Sequence, residues 1–169
     1  CSCDYTELVI IGGGVIGVEM AGVYNGIGRK VTIIEALDRI LANMDREISQ
    51  NLSMIMKKRG VAVNTGFMVT GITQEGGRLT CTFERKGKTE SVNADGILIC
   101  VGRRAVTEGL NLEAAGVETE RGRVKVGDGY KTNVPHIYAI GDVTGGIQLA
   151  HAAENTTKKK KKKKKKKTK

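Results

Sequence analysis

The sequence has few of the residues that stiffen a chain and few aromatic ones. Its 169 residues include one proline (Pro135), no tryptophan and 4% aromatic residues, against 23 glycines. This balance excludes a proline-rich linker and predicts many tight turns. No apolar run approaches the roughly 18 residues needed to cross a bilayer, so we expect no membrane-spanning role.

The formal net charge of +10 is concentrated at one end of the chain. Lys158 to Lys167 contribute ten charges and Lys169 one more, and removing these eleven leaves −1. A nearly neutral body argues against a basic nucleic-acid-binding domain. Because ten adjacent like charges repel one another and bury no surface, we expect residues 155–169 to be disordered. An artefact is the favoured explanation of this tail, over an arm for nucleic acid or anionic lipid.

The four cysteines, Cys1, Cys3, Cys81 and Cys100, form neither a C-x-x-C pair nor a zinc-ligand spacing, so no metal site is predicted. Their scatter favours a reducing compartment. Cys100 lies in an apolar run and is interpreted as a small core residue. The sequence begins with Cys1 rather than Met, so we expect residues 1–6 to be a frayed end and expect any targeting segment to precede them.

Apolar runs and helical patterns alternate along the first two thirds of the chain. Buried parallel strands are predicted at residues 8–11, 31–34, 61–63 and 97–101, with helices at about 15–27 and 45–59. The second helix has an apolar stripe at Ile48, Leu52, Ile55 and Met56. Short strands at 67–73, 78–84 and 89–93, separated by glycine turns, indicate an antiparallel meander. The prediction is an α/β fold, a Rossmann-like parallel sheet with a three-stranded antiparallel meander as one crossover. Further short strands are predicted at 123–126 and 137–140.

The glycine loop after the first strand is the strongest chemical signal. Gly12 to Gly17 has the pattern G-x-G-x-x-G and opens a helix. Gly12 permits a tight turn, Gly14 lets a pyrophosphate approach the backbone, and Gly17 brings the helix close to the strand. The helix N-terminus offers free N–H groups and a positive dipole to phosphates. The alternative is a structural turn without a ligand.

Glu35 points to a dinucleotide and to its type. It ends the second strand, 23 residues after Gly12. A carboxylate at this place accepts hydrogen bonds from the adenine-ribose hydroxyls and repels a 2′-phosphate. The sequence therefore predicts NAD rather than NADP.

Several motifs in order carry a family resemblance over roughly residues 6–153. They are Ile11–Glu19, Val31–Glu35, Gly102–Arg104, Thr132–Asp142 and Leu149–His151. Together they resemble the flavin-dependent pyridine nucleotide–disulphide oxidoreductases, and within them the dihydrolipoamide dehydrogenases. The resemblance implies a parent enzyme that passes electrons from a dithiol, best matched by dihydrolipoamide, through FAD to NAD. It also implies a homodimer, in a 2-oxoacid dehydrogenase or glycine cleavage complex, in the bacterial cytoplasm or the mitochondrial matrix.

The resemblance also assigns site residues. The residues implied for NAD are Gly12, Gly13, Gly14, Val15, Ile16, Gly17, Val18, Glu19, Glu35, Val69 and Gly102. Those implied for FAD are Asp142, Gln148, Leu149, Ala150 and His151. Glu19 matches a carboxylate near the flavin that pairs with a lysine of the other cofactor domain. His151 is not expected to be the catalytic base, which the family carries in a later domain.

On this resemblance, residues 7–118 form an NAD-binding domain and 119–154 the C-terminal part of a split FAD-binding domain. The family's C-x-x-x-x-C redox pair does not occur in this sequence. We therefore expect no catalytic residue here and no dithiol oxidation by this chain alone. Ala105 and Val106 stand where the family commonly has Pro-Asn. Two alternatives stay open: a free-standing NAD-binding module without catalysis, and another disulphide reductase of the family.

Overall fold

The computed structural model of the chain describes residues 5–146 and 148–154. The predicted lysine-rich tail, 155–169, lies outside the described residues, as do residues 1–4 of the predicted frayed end. Tyr5 and Thr6 are described, and the Thr6 N–H donates to Asp95 Oδ2 at 3.1 Å. Contacts divide the chain into two compact units, one ending at Gly102 and the next beginning at Arg103. The expected division at residue 118 concerns cofactor binding and stays a prediction.

The first unit consists of a parallel sheet, two helices and a meander. In chain order the elements are β1 (Glu7–Ile11), α1 (Val15–Gly26), β2 (Lys30–Glu35), α2 (Arg46–Lys58), β3 (Ala62–Thr65), β4 (Met68–Glu75), β5 (Arg78–Arg85), β6 (Lys88–Ala94) and β7 (Gly96–Ile99). The parallel sheet has the order β3-β2-β1-β7, and β4-β5-β6 form a separate antiparallel sheet. The Rossmann-like fold with a meander crossover between β3 and β7 is confirmed.

The central strands are apolar along Leu8–Ile11 and, apart from Thr32, along Val31–Ile34, because both faces of the sheet are covered. On one face Leu8 and Ile10 pack with Val18, Ala21 and the partly buried Leu52 of the helices. On the other face Val9, Ile11 and Ile34 pack with Cys81 and Phe83 of the meander. The meander therefore fills the place that a crossover helix would otherwise cover.

Local sequence explains where α2 begins and ends. The Asp45 side chain caps it by accepting from the Glu47 N–H at 2.8 Å, and Lys57 and Lys58 lie at its negative end.

The predicted apolar stripe of α2 is wrong in half of its members. Ile48 and Ile55 are exposed, whereas Met56 is buried and Leu52 partly buried. The other buried residue of α2 is Ser49, three residues before Leu52, and it is 1% exposed. Burial of this serine is tolerated because its one hydroxyl proton is shared between the carbonyls of Leu41 and Asp45, both 3.1 Å from the Ser49 Oγ.

Two tight turns join the meander strands. Gly76 and Gly77 have φ of 54° and 83°, and Lys86 and Gly87 have φ of 50° and 78°. Two successive positive φ values are the mark of type I′ hairpin turns, which match the twist of the flanking strands. The glycine turns therefore fall where the sequence predicts them.

The second unit contains little regular structure. It has the short strands β8 (Thr119–Glu120) and β9 (Arg123–Val124), two 3-10 turns at Asp128–Tyr130 and Gly141–Thr144, and a helical stretch at 150–154. The strand predicted at 123–126 is thus shorter. The strand predicted at 137–140 is wrong, since only one bridge joins Lys131 to Tyr138. The Thr132 hydroxyl shares its one proton between the carbonyls of Val134 and Ile137, at 3.2 and 3.0 Å, and closes a turn instead.

Candidate functional site

Two of the loop glycines are required by close packing of the backbone itself. Gly12 has φ of 105°, and a Cβ added there would lie well inside 3.0 Å of the Cys100 carbonyl. A Cβ added at Gly17 would meet the Gly12 carbonyl just as closely. These glycines allow β1, α1 and the end of β7 to approach one another.

Gly14 is different, because a Cβ added there has no heavy atom within 4 Å. It is the N-cap of α1 and has no side-chain cap. The N–H groups of the first helical turn have no intrahelical partners, and the positive end of the helix dipole lies there. Gly14 therefore leaves an open, electropositive backbone surface of the kind that phosphates bind.

An open cleft of about 460 Å³ lies at the carboxyl ends of the parallel strands. Residues that line it include Gly12, Gly14, Glu35, Val69 and Gly102, all named for the nucleotide from the sequence. The carboxyl edge of a parallel α/β sheet is where such folds bind ligands. The chain thus brings together five positions that lie up to 90 residues apart.

Backbone donors fix the Glu35 carboxylate at this cleft. Its Oε2 accepts from the Gly13 N–H at 2.5 Å, and its Oε1 accepts from the Leu37 N–H at 2.7 Å. An ionised carboxylate has about four acceptor positions, so each oxygen retains capacity for a further hydrogen bond. The side chain is thus oriented before any ligand binds.

Some residues predicted for the nucleotide do not line the cleft. Val15 and Ile16 are exposed on α1, and Val18 is buried in the core at 8% exposure. Gly17 is buried under the loop. Glu19 is exposed, and α1 has no acidic residue in its first turn. The dipole of α1 therefore gives no reason for an acidic residue at position 19.

The second unit holds the residues predicted for FAD. Asp142 is the second residue of the 3-10 turn at Gly141–Thr144 and is exposed, as are Leu149, Ala150 and His151, while Gln148 is half-buried. Arg103 lies between two of them, because its Nη1 is 4.0 Å from Asp142 Oδ2 and its Nη2 donates to the Gln148 carbonyl at 3.0 Å. Sequence reasoning did not single out Arg103. Its position in Gly102–Arg104, one of the motifs that carry the family resemblance, could have drawn attention to it.

The only thiol on the cleft belongs to Cys100, within the part of the chain that the structure describes. Burial raises its pKa, as it does that of Cys81, so both thiols are protonated at neutral pH. Across residues 5–146 and 148–154, no three His, Cys, Asp or Glu side chains are grouped to hold a metal ion. No helix in the same ranges is long and apolar enough to cross a membrane.

Relatives named as dihydrolipoyl dehydrogenases are similar to this chain. A dihydrolipoamide dehydrogenase from Chaetomium thermophilum is 44% identical over 152 residues, which is 88% of this chain and 30% of the relative. A mitochondrial dihydrolipoyl dehydrogenase from Bos taurus is 42% identical over 154 residues, with shares of 88% and 30%. The chain therefore spans about a third of the length of the relatives that it matches.

Solved structures of flavoproteins share the fold. The HOCl-induced flavoprotein disulfide reductase RclA from Escherichia coli matches with a TM-score of 0.81 and 33% identity, over 91% of this chain and 35% of that one. LpdA from Mycobacterium tuberculosis matches with a TM-score of 0.83 and 27% identity, over 92% and 34%. A family model described as pyridine nucleotide-disulphide oxidoreductase matches residues 4–157. On these grounds the chain belongs to the pyridine nucleotide–disulphide oxidoreductases.

Proposed function

We propose that this chain is the NAD-binding part of a flavin-dependent oxidoreductase that oxidises a dithiol, with dihydrolipoamide as the best-matched substrate. The observation that carries the proposal is the Glu35 carboxylate, held by two backbone N–H groups beside the open glycine loop. The names of the relatives from Chaetomium thermophilum and Bos taurus support the choice of substrate.

Each part of the cleft has one task in this proposal. The pyrophosphate binds at Gly14 and at the first turn of α1, where backbone donors have no intrahelical partner. With its remaining lone pairs, the Glu35 carboxylate would accept hydrogen bonds from the two hydroxyl groups of the adenine ribose. Val69 lies beside the adenine, and Gly102 allows close approach near the nicotinamide. NAD, when bound, supplies the hydride acceptor, and the residues of this chain bind and orient it.

Glu35 also excludes the phosphorylated cofactor. A 2′-phosphate would bring about two negative charges to the oxygen that the ribose hydroxyl otherwise approaches. Because the carboxylate is tied to Gly13 and Leu37, it has little freedom to turn away. Charge repulsion at short range therefore favours NAD over NADP.

The remaining assignments belong to the parent enzyme. Asp142 is proposed to accept a hydrogen bond from FAD, with Gln148, Leu149, Ala150 and His151 alongside it. Glu19 is proposed as a support near the flavin. The parent is proposed to be a homodimer in a 2-oxoacid dehydrogenase or glycine cleavage complex, in a bacterial cytoplasm or a mitochondrial matrix. A disulphide reductase with another substrate is a second candidate, which the likeness to RclA favours.

Calorimetric titration of the full chain with NADH and NADPH tests the cofactor assignment. We expect NADH to bind more tightly, and Glu35→Ala to weaken NADH binding by about 1.5–3 kcal/mol, the usual cost of losing a charged hydrogen-bonding group. The matched control is Glu75→Ala, which removes an exposed carboxylate at the end of β4. Equal affinities of the unmodified chain for the two nucleotides would contradict the proposal.

A further inference from the structure

A series of hydrogen bonds joins α2 to the glycine loop through Leu41 and Ser49, two residues that do not line the cleft. The Leu41 N–H donates to the Gly13 carbonyl at 2.8 Å. The Leu41 carbonyl in turn accepts from the Met44 N–H at 2.8 Å and from the Ser49 hydroxyl at 3.1 Å, whose one proton it shares with the Asp45 carbonyl at the same distance. Leu41 is thus bonded on one side to the nucleotide loop and on the other to α2.

The backbone conformation of Leu41 shows that this arrangement is imposed by its surroundings. Leu41 has φ of 48°, in the left-handed region that a leucine rarely adopts. Its neighbour Ile40 is 1% exposed, and Leu41 is 8% exposed. The pair is therefore anchored in the core, and the hydrogen bonds to Gly13 and Ser49 help to hold the strained residue in place.

Gly13 is enclosed by the same structure. A Cβ added at Gly13 would lie 2.8 Å from Ile40 Cγ2 and 3.1 Å from Glu35 Cβ. Its N–H donates to Glu35 Oε2 at 2.5 Å. Gly13 thus lies between Ile40 on one side and the ribose-binding carboxylate on the other, so a shift of Gly13 would move the donor that orients Glu35.

We propose that Ser49 and Leu41 are positioning residues for dinucleotide binding. They hold Gly13 in place from α2, and through the Gly13 N–H they keep the Glu35 carboxylate aimed at the ribose. This inference rests on the proposed function of the cleft. It adds that selectivity against a 2′-phosphate depends on a buried serine that touches no part of the nucleotide.

The variant Ser49→Ala in the full chain tests the proposal. It removes the hydroxyl but leaves the hydrogen bond from the Met44 N–H to the Leu41 carbonyl. The connection between β2 and α2 therefore keeps its backbone conformation but is less restrained at Leu41. We expect the dissociation constant for NADH to rise by up to about tenfold, because the bond is internal to the protein and the free energy of one neutral hydrogen bond sets the upper limit of its effect on binding. We also expect the preference for NADH over NADPH to fall, because a less constrained Glu35 can turn from the 2′-phosphate.

Ser53→Ala is the matched control, since Ser53 lies one turn later on α2, is only half-buried and makes no side-chain hydrogen bond within the described part of the chain. A second measurement needs no nucleotide: hydrogen exchange at the Leu41 amide should accelerate in Ser49→Ala and stay unchanged in Ser53→Ala. Altered cofactor preference together with faster exchange supports the proposal.

Three results would overturn the inference. Unchanged NADH affinity in Ser49→Ala would overturn it while the proposed function stands. Equal weakening of NADH binding and NADPH binding would show that Ser49 supports the structure of the cleft without affecting its selectivity. Failure of the unmodified chain to bind NADH would remove the proposed function and this inference with it, whatever the exchange rate of the Leu41 amide.

Discussion

The glycines of the nucleotide loop differ in what an added methyl group would meet. At Gly17 a Cβ would collide with the Gly12 carbonyl, whereas at Gly14 it would point into open space. Gly14 also has φ of −73°, which alanine adopts without strain. One glycine therefore serves packing and the other leaves room for a ligand.

Alanine substitutions should separate these two purposes. We expect Gly17→Ala to lower the free energy of unfolding by about 1–3 kcal/mol or more, as overpacking does. We expect Gly14→Ala to change it by less than about 1 kcal/mol and to weaken NADH binding. Urea unfolding of both variants and titration of Gly14→Ala check this, each variant serving as the other's control. A large loss of stability in Gly14→Ala would contradict the open cleft.

Sequence spacing was sufficient to predict that Glu35 and the loop glycines lie at the carboxyl ends of neighbouring strands, because those positions follow directly from the strand-turn-helix pattern. The hydrogen bonds from Gly13 and Leu37 that orient Glu35 could not be predicted, since they depend on how the β2–α2 connection folds back. Ser49 was missed for a related reason. Hydrophobic periodicity predicts that the isoleucines of α2 are buried and that Ser49 is exposed. The reverse arrangement could be predicted only if the hydrogen-bond acceptors of Ser49 were known.

Among the elements, the meander is tied to the parallel sheet by a charged cluster at the end opposite the cleft. Arg78, which begins β5, bonds to Glu7 of β1 and, at 2.8 Å, to Asp95 Oδ1. Lys30 of β2 bonds to Glu7 Oε1 at 2.8 Å. Asp95 Oδ2 also accepts from the main-chain N–H groups of Thr6 and Glu7. Four segments of the first unit, namely β1, β2, the start of β5 and the β6–β7 connection, therefore meet at these side chains.

These contacts should make the first unit sensitive to acid. Hydrogen bonds from Lys30 and Arg78 lower the pKa of Glu7, and those from Thr6 and the Glu7 N–H lower the pKa of Asp95. A carboxylate with a lowered folded-state pKa stabilises the fold fully above its unfolded pKa, which is about 4. That contribution is lost as the pH falls through the folded-state value, when the unfolded state no longer binds more protons than the folded one.

We expect Asp95→Asn to destabilise the chain at pH 7 and to make the loss of stability below about pH 4 shallower. Urea unfolding across pH 2–7 measures both effects. Glu75→Gln, at an exposed carboxylate of the same meander, should leave the pH profile unchanged. An Asp95→Asn profile parallel to that of the unmodified chain would show that the Asp95 carboxylate does not contribute to the acid sensitivity.

Elements with a strong local pattern were predictable to within about two residues, as β1 and α1 show. The failure at 137–140 has a physical cause. Its continuous run of hydrophobic residues is typical of a buried strand, but the Thr132 hydroxyl bonds to the backbone on both sides of Pro135 and closes residues 132–137 into a turn.

At the scale of the whole molecule, the two units differ in how much they bury. In the described part of the chain beyond Gly102, the buried side chains are Val117, Val124 and Thr132. The first unit, in contrast, has two apolar clusters, one on each face of its sheet. Segments with few buried contacts open at low free-energy cost.

Hydrogen exchange should therefore distinguish the units. We expect the amides of β1 to exchange most slowly and those of residues 132–146 and 148–151 much faster. The expectation follows from each unit's own core, so the short hairpin of β8 and β9 should also exchange quickly. Equally slow exchange in both segments would show that the C-terminal segment is integral to the first unit rather than part of a separate cofactor domain.

The two backbone bonds to Glu35 have a consequence for redesign of the cleft. Replacing Glu35 with a small residue, the obvious first step toward a cofactor swap, removes the acceptor of two main-chain N–H groups at once. In the proposed function, both donors would then lose their acceptor beside the place proposed for the phosphorylated ribose. An engineer would gain the nucleus of an anion pocket there, but would need a new acceptor to keep it ordered when the cofactor leaves.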